Sequence, residues 1–353
     1  MTFAIHMIDV FGAGPLSGNP LAVVIGADAL ATDDMQRLTR WFNLSETAFL
    51  LPPTHPEADY RVRIFTLDRE MLFAGHPTLG SCHVWLSTGR VPKNEAEIVQ
   101  ECGAGLVPIR RAHERLSFAA PPLIRSGAPT QDELDQARRL LGIESGDILD
   151  AAWIDNGPGW LGIRLVSAET VLALNPLRSW PGRIDVGVIG PHATGGDPAF
   201  EVRAFFSNHL GAIVEDPVTG SLNASMAQWL FATGVVEDDY VAAQGTRLGR
   251  HGRIHLTRDE AGQIWVGGKT RTHVEGRFRG LPPAAPDCSI RHHRSHHTAR
   301  LGSRHLKNAG ALQVLGEWTD VQERDGPAGW RSPSAETDAV RKHGAYLESC
   351  LRG

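Results

Sequence analysis

The chain has 353 residues, 42% hydrophobic and 21% charged, which is the make-up of a globular protein with material for two cores and excludes disorder along its whole length. A net charge of -5 excludes a nucleic acid or an anionic membrane held by bulk charge, and leaves room for a small anionic substrate in a local pocket. No apolar run reaches the length of a membrane span, the N-terminus lacks the pattern of a signal peptide, and Cys82, Cys102, Cys288 and Cys350 contain no C-x-x-C pair. A cytoplasmic protein without a disulfide frame or thiolate zinc site is therefore expected.

Phe3 to Phe11 alternates as a first strand, and the loop Gly12 to Pro20 leads to a second, Leu21 to Ile25. The loop's glycines do not make a dinucleotide site, because that motif must open a helix and here prolines and strand sequence follow. Thr32-Asp33-Asp34 caps a helix with Met35, Leu38, Trp41 and Phe42 on one face, ending at Asn43 to Ser45. Glu46 then begins a strand, with Tyr60 to Thr66, Ile98 to Glu101 and Leu106 to Arg110 completing a mostly antiparallel first half. Ala119-Ala120-Pro121-Pro122 reads as a linker. Thr130 to Glu133 is a capping box opening a helix that Gly142 stops, and strands near 151–154, 160–165, 184–189, 253–256 and 264–267 form a second half. The expected units are 1–118, 119–281 and a poorly packed tail, 282–353. In that tail Arg291 to His297 is read as a solvated basic run, since no scaffold fixes ligand geometry, and no metal site is expected.

Two turns repeat one design. Arg63-Ile64-Phe65 precedes Ala74-Gly75-His76-Pro77-Thr78 and a helix closed by Gly89. Arg203-Ala204-Phe205 precedes Glu215-Asp216-Pro217-Val218-Thr219-Gly220-Ser221 and a helix closed by Gly234. Matching features at a near-constant offset predict two similar halves whose helix N-termini face one pocket, a seat for an anion. Glu46, set among Leu44, Ala48 and Phe49, is the candidate acid/base, because burial raises a carboxyl toward neutral pH. His76, at a helix start that disfavours imidazolium, is either a substrate ligand and proton relay or a structural turn histidine. Asp216 either orients His76 or a substrate amine, or caps its turn. Ser221 is both a preferred N-cap and a candidate ligand, and Asn19 either reaches the pocket or shapes its loop.

Gly18-Asn19-Pro20-Leu21-Ala22-Val23-Val24, Asn43-Leu44-Ser45-Glu46-Thr47-Ala48-Phe49, Phe73-Ala74-Gly75-His76-Pro77-Thr78 and Glu215 to Ser221, in this order, resemble the phenazine-biosynthesis PhzF-like isomerase family over roughly residues 3 to 280. The resemblance implies an α+β, diaminopimelate-epimerase-like fold of two similar lobes, each a curved, mostly antiparallel sheet or barrel around a central helix. It also implies a homodimer and a cofactor-independent isomerase like that of trans-2,3-dihydro-3-hydroxyanthranilate. Carried over, Glu46 is the acid/base, His76 and Asp216 join it, and Asn19, Gly75, Gly220 and Ser221 line the substrate. Related epimerases place cysteines at the two helix starts; His76 and Ser221 stand in those regions here, so a two-thiol mechanism is not available. An amino-acid racemase or epimerase and a non-catalytic metabolite-binding protein are the alternatives.

Overall fold

The computed structural model describes residues 2–279 apart from 113, 194 and 195, so the tail and its histidine run lie outside the described residues. The described residues belong to one compact unit in which the same sequence of pairings occurs twice. In the first half, Thr2–Val10 lies antiparallel to Asn19–Ile25, which runs parallel to Glu46–Leu51 across helix α1 (Thr32–Phe42). Glu46–Leu51 is antiparallel to Tyr60–Thr66, itself parallel to Ile98–Cys102 across helix α2 (Gly75–Ser87). Gly105–Ala112 and Arg115–Ala119 close the series with antiparallel pairings.

After helix α3 (Gln131–Leu141) the order recurs. Ile148–Asp155 pairs with Leu161–Leu165, and helix α4 (Ala168–Ala173) bridges to the parallel strand Asp185–Pro191. Phe200–Ser207 follows, and helix α5 (Gly220–Ala232) bridges to the parallel strand Tyr240–Gln244 and then Gly252–Arg258. The repeat extends to side chains. Arg63 binds Glu70 at 2.6 Å and lies over Phe65, while Arg203 binds Glu215 at 2.8 Å and lies over Phe205.

The halves also exchange strands. Ile264–Arg279 begins against Gly252–Arg258 and Arg115–Ala119, then from Thr270 onward runs along Thr2–Val10. Reciprocally, Arg125–Gly127, just beyond Arg115–Ala119, pairs with Ile148–Asp155.

Helices α2 and α5 are apolar on nearly every face, which suits a helix enclosed by sheet. Leu79, Cys82 and Val84 of α2 and Leu222, Met226 and Leu230 of α5 are all fully enclosed in one shared core. Gly89 and Gly234 follow them with φ of 78° and 68°, as the left-handed ends of helices require. The predicted capping box is present, with Thr130 Oγ1 accepting from the Glu133 N–H and Glu133 accepting from the Thr130 N–H, and Gly142 is left-handed.

Two local readings are corrected. The cap position of α1 is Ala31, and no side chain caps it; Thr32 is instead the first helical residue, with its hydroxyl accepting from Arg63. Trp41 is 72% exposed, with its ring against Phe42 and Phe278. It lies six residues after Met35, about 120° away around a helix of 100° per residue, whereas Leu38 and Phe42 share the Met35 side. Among the described residues no helix is long and apolar enough to cross a membrane.

Candidate active site

Helices α2 and α5 meet tip to tip. A Cβ built on Gly75 would lie 2.7 Å from the Gly220 Cα, and one on Gly220 would lie 2.8 Å from the Gly75 Cα, so only glycine allows this approach. Neither tip has a side-chain cap. The first N–H groups of both helices therefore lack intrahelical partners, and both positive dipole ends point to the same place.

The side chains singled out from the sequence gather there. The parallel register of Asn19–Ile25 with Glu46–Leu51 brings the starts of these strands alongside α2. Glu46 Oε2 lies 3.5 Å from His76 Nε2, and both atoms are enclosed without a hydrogen-bond partner in the protein. Burial raises the Glu46 carboxyl well above its ordinary range, and the Asp216 charge raises it further. Burial pushes the His76 imidazole down to about 3. A neutral histidine thus faces a carboxyl that holds its proton more readily than an exposed one.

Asn19 is the hub. Its Nδ2 donates to Asp216 Oδ1 at 3.1 Å and to the Val218 carbonyl at 2.9 Å, and lies 3.3 Å from His76 Nδ1. The two carbonyl-type acceptors fix the amide orientation. The amide nitrogen has no lone pair with which to accept from His76 Nδ1, so the ring proton is placed on Nε2, facing Glu46. Asp216 does not touch His76 directly; it acts on Asn19 and also accepts from Ser45 Oγ at 3.2 Å and Thr219 Oγ1 at 2.6 Å. Burial pushes Asp216 up to about 6, against the pull of those three hydrogen bonds.

Ser221 is not the N-cap. That position is Thr219, and Ser221 is the second helical residue, its Oγ accepting from Trp160 Nε1 at 3.2 Å and its carbonyl from Asn156 Nδ2 at 2.9 Å. Gln244 fixes the approach to α5, accepting from the Thr219 N–H at 3.0 Å and donating to Thr219 Oγ1 at 2.9 Å and the Asp216 carbonyl at 3.2 Å. Sequence reasoning missed Ser45, Asn156, Trp160 and Thr219 as members of the site. Ser45 carried a signal, its place directly before Glu46; Trp160 carried none.

The raised Asp216 carboxyl has a testable consequence. Its folded value of about 6 lies above the ordinary 3.8, so the neutral form favours the fold and that advantage is lost as pH rises from about 4 through 6. His76 works in the opposite sense, its contribution present above 6.5 and lost as pH falls toward 3. Relative to Asp216→Asn, the wild type should therefore be most stable near pH 4 and lose ground by pH 7, measured by urea unfolding of both proteins across that range. A difference independent of pH would refute the shift.

The model of the family described as phenazine biosynthesis-like protein matches residues 8–277. The Antisense-enhancing sequence 1 protein of Schizosaccharomyces pombe is 32% identical over 293 residues, 76% of this chain and 96% of that one. The trans-2,3-dihydro-3-hydroxyanthranilate isomerase of Pseudomonas aeruginosa is 29% identical over 280 residues, 77% of this chain and 97% of the enzyme. Among solved structures, a predicted epimerase of Pseudomonas aeruginosa aligns with a TM-score of 0.66 and 26% identity, over 79% of this chain and all of that one. The architecture is thus the diaminopimelate-epimerase-like α+β fold expected from the sequence. The chain belongs to the phenazine biosynthesis-like PhzF family and is an isomerase of that family.

Proposed function

We propose that this isomerase moves a proton between carbons of a small, carboxylate-bearing, cyclic or unsaturated substrate of the trans-2,3-dihydro-3-hydroxyanthranilate type, using its own side chains and no cofactor. The observation that carries the reading is the enclosed Glu46–His76 contact, whose facing atoms have no other partner, set beside two uncapped helix starts. Ionised Glu46 takes a proton from one carbon and returns it to another. The transfer is helped because burial favours the protonated carboxyl that the first step creates. With the His76 proton on Nε2 facing Oε2, the Glu46 proton belongs to Oε1. The N–H groups at the Gly75 and Gly220 tips hold the substrate carboxylate and stabilise negative charge as it develops. Burial keeps His76 neutral, and Asn19, held in turn by Asp216, fixes this tautomer.

A racemase needs a second base on the opposite face. At the α5 tip stands Ser221, whose oxygen already accepts from Trp160, which weighs against that alternative. The test is incubation with trans-2,3-dihydro-3-hydroxyanthranilate in D2O. A rearranged product is expected, carrying deuterium on carbon to the extent that the Glu46 proton exchanges with solvent before it is delivered. Deuterium exchange at the starting carbon with inversion and no rearrangement would favour the racemase, and binding without turnover or exchange would favour a non-catalytic binder.

A further inference from the structure

Ser221 is held by one turn of the second half. Residues 156–160 join Ile148–Asp155 to Leu161–Leu165, the place that the Asn19 loop occupies in the first half. The turn is pinned on both sides. The Asp155 carboxylate accepts from the N–H groups of Gly157 at 2.7 Å and Gly159 at 2.8 Å, and Arg183 donates to the Pro158 carbonyl at 2.6 Å. Asp9 secures the Asn19 loop in the same way, accepting from Ser17 at 3.0 Å and Gly18 at 2.7 Å.

What the turn delivers is specific. The Asn156 amide holds the Ser221 carbonyl, and the indole N–H of Trp160, itself 3% exposed, donates to the Ser221 hydroxyl oxygen. A buried helical serine commonly turns its hydroxyl back to a preceding carbonyl, as Ser225 does to Ser221 at 3.1 Å. Ser221 does not: among the described residues its hydroxyl hydrogen has no acceptor. An indole N–H can only donate, so it occupies one of the two acceptor positions of Oγ and turns the O–H away from the indole, leaving the hydroxyl hydrogen free to be donated. Beside it, Asn156 Oδ1 is enclosed without a partner and can only accept, so this corner is built to meet a ligand that brings a donor, such as an amino group, next to its carboxylate.

We infer that Trp160 is a positioning residue, whose indole N–H sets Ser221 as a hydrogen-bond donor and so makes the site select a carboxylate over the neutral amide of the same shape. A carboxylate offers only acceptors to this hydroxyl, whereas half of an amide is a donor group. The inference rests on the proposed function, which puts a substrate carboxylate at the helix tips.

The test uses the full chain, calorimetric titration at pH 8, and two probes, anthranilate and 2-aminobenzamide. The wild type is expected to favour anthranilate by roughly tenfold, the size of one hydrogen bond to a charged group. Trp160→Phe should lose most of that preference. Trp160→His should keep most of it, because the ring N–H returns although more volume is lost. If Trp160 serves packing alone, the order reverses, His being worse than Phe, and the inference is overturned. Should Trp160→Phe fail to fold, 3-benzothienylalanine at position 160 replaces the N–H by sulfur within the same shape and should show the same loss. Ser221→Ala separates the two layers. A preference lost in Ser221→Ala and kept in Trp160→Phe sinks the Trp160 role alone. A wild type that does not bind anthranilate sinks the carboxylate reading of the site, and the inference with it.

Discussion

Glu46→Gln should lower turnover by about 10²- to 10⁴-fold, the range that one general acid/base supplies, while anthranilate binding changes by less than about threefold. The amide keeps the size of the carboxyl and can still accept from His76 Nε2, so the enclosed contact at 3.5 Å survives. It cannot take a proton from carbon. Stability should not fall, because burial disfavours the carboxylate at this position and the amide carries no charge to bury. Steady-state kinetics, calorimetry and thermal unfolding on the same preparation check all three statements. A parallel loss of binding and turnover would instead mean that Glu46 only orders the pocket.

Much of this site was legible in the sequence because it is built at helix starts, where the chemistry of the backbone restricts the residue types. Gly75, Pro77 and Gly89 delimit α2 as their backbone preferences dictate, and Gly220 and Gly234 do the same for α5. The strand exchange was not legible. Ile264 to Gly267 reads as an apolar strand, but in its continuation from Lys269 to Arg279 only Val274 and Phe278 are large apolar residues, and its partner Thr2–Val10 lies at the opposite end of the chain. No local pattern encodes a pairing across that separation. The role of Asp216 is not encoded locally, for a similar reason. Its three partners, Asn19, Ser45 and Thr219, come from both halves, and their convergence depends on how the halves meet. Trp160 marks the same limit: the sequence reads it only as the first residue of a strand, and only the position of Ser221 shows what its N–H does.

That meeting of the halves is most exposed to change at the paired glycines. Gly75→Ala should destabilise the protein by about 3 kcal/mol or more and lower its melting temperature by roughly 10 °C, an overpacking cost at the upper end of its range. The new methyl would meet the Gly220 Cα at 2.7 Å and the Phe118 ring at 2.8 Å, and neither can yield as a flexible side chain would. Neither glycine has positive φ, so the cost arises from the space between two backbones and not from a strained conformation. Gly220→Ala should behave alike, striking the Gly75 Cα at 2.8 Å and the His76 nitrogen at 3.1 Å. Relief requires the helix tips to move apart, which carries Ser221 away from His76 and spreads the N–H groups that hold the substrate. Turnover should then fall by at least about 100-fold even below the melting transition, as small misplacements of catalytic groups produce. Because each substitution already forces the same separation, Gly75→Ala with Gly220→Ala should cost clearly less than the sum of the two single changes if the tips part as rigid bodies. Full additivity in urea unfolding would show instead that each methyl is absorbed locally, and that the glycine contact does not set the spacing of the site.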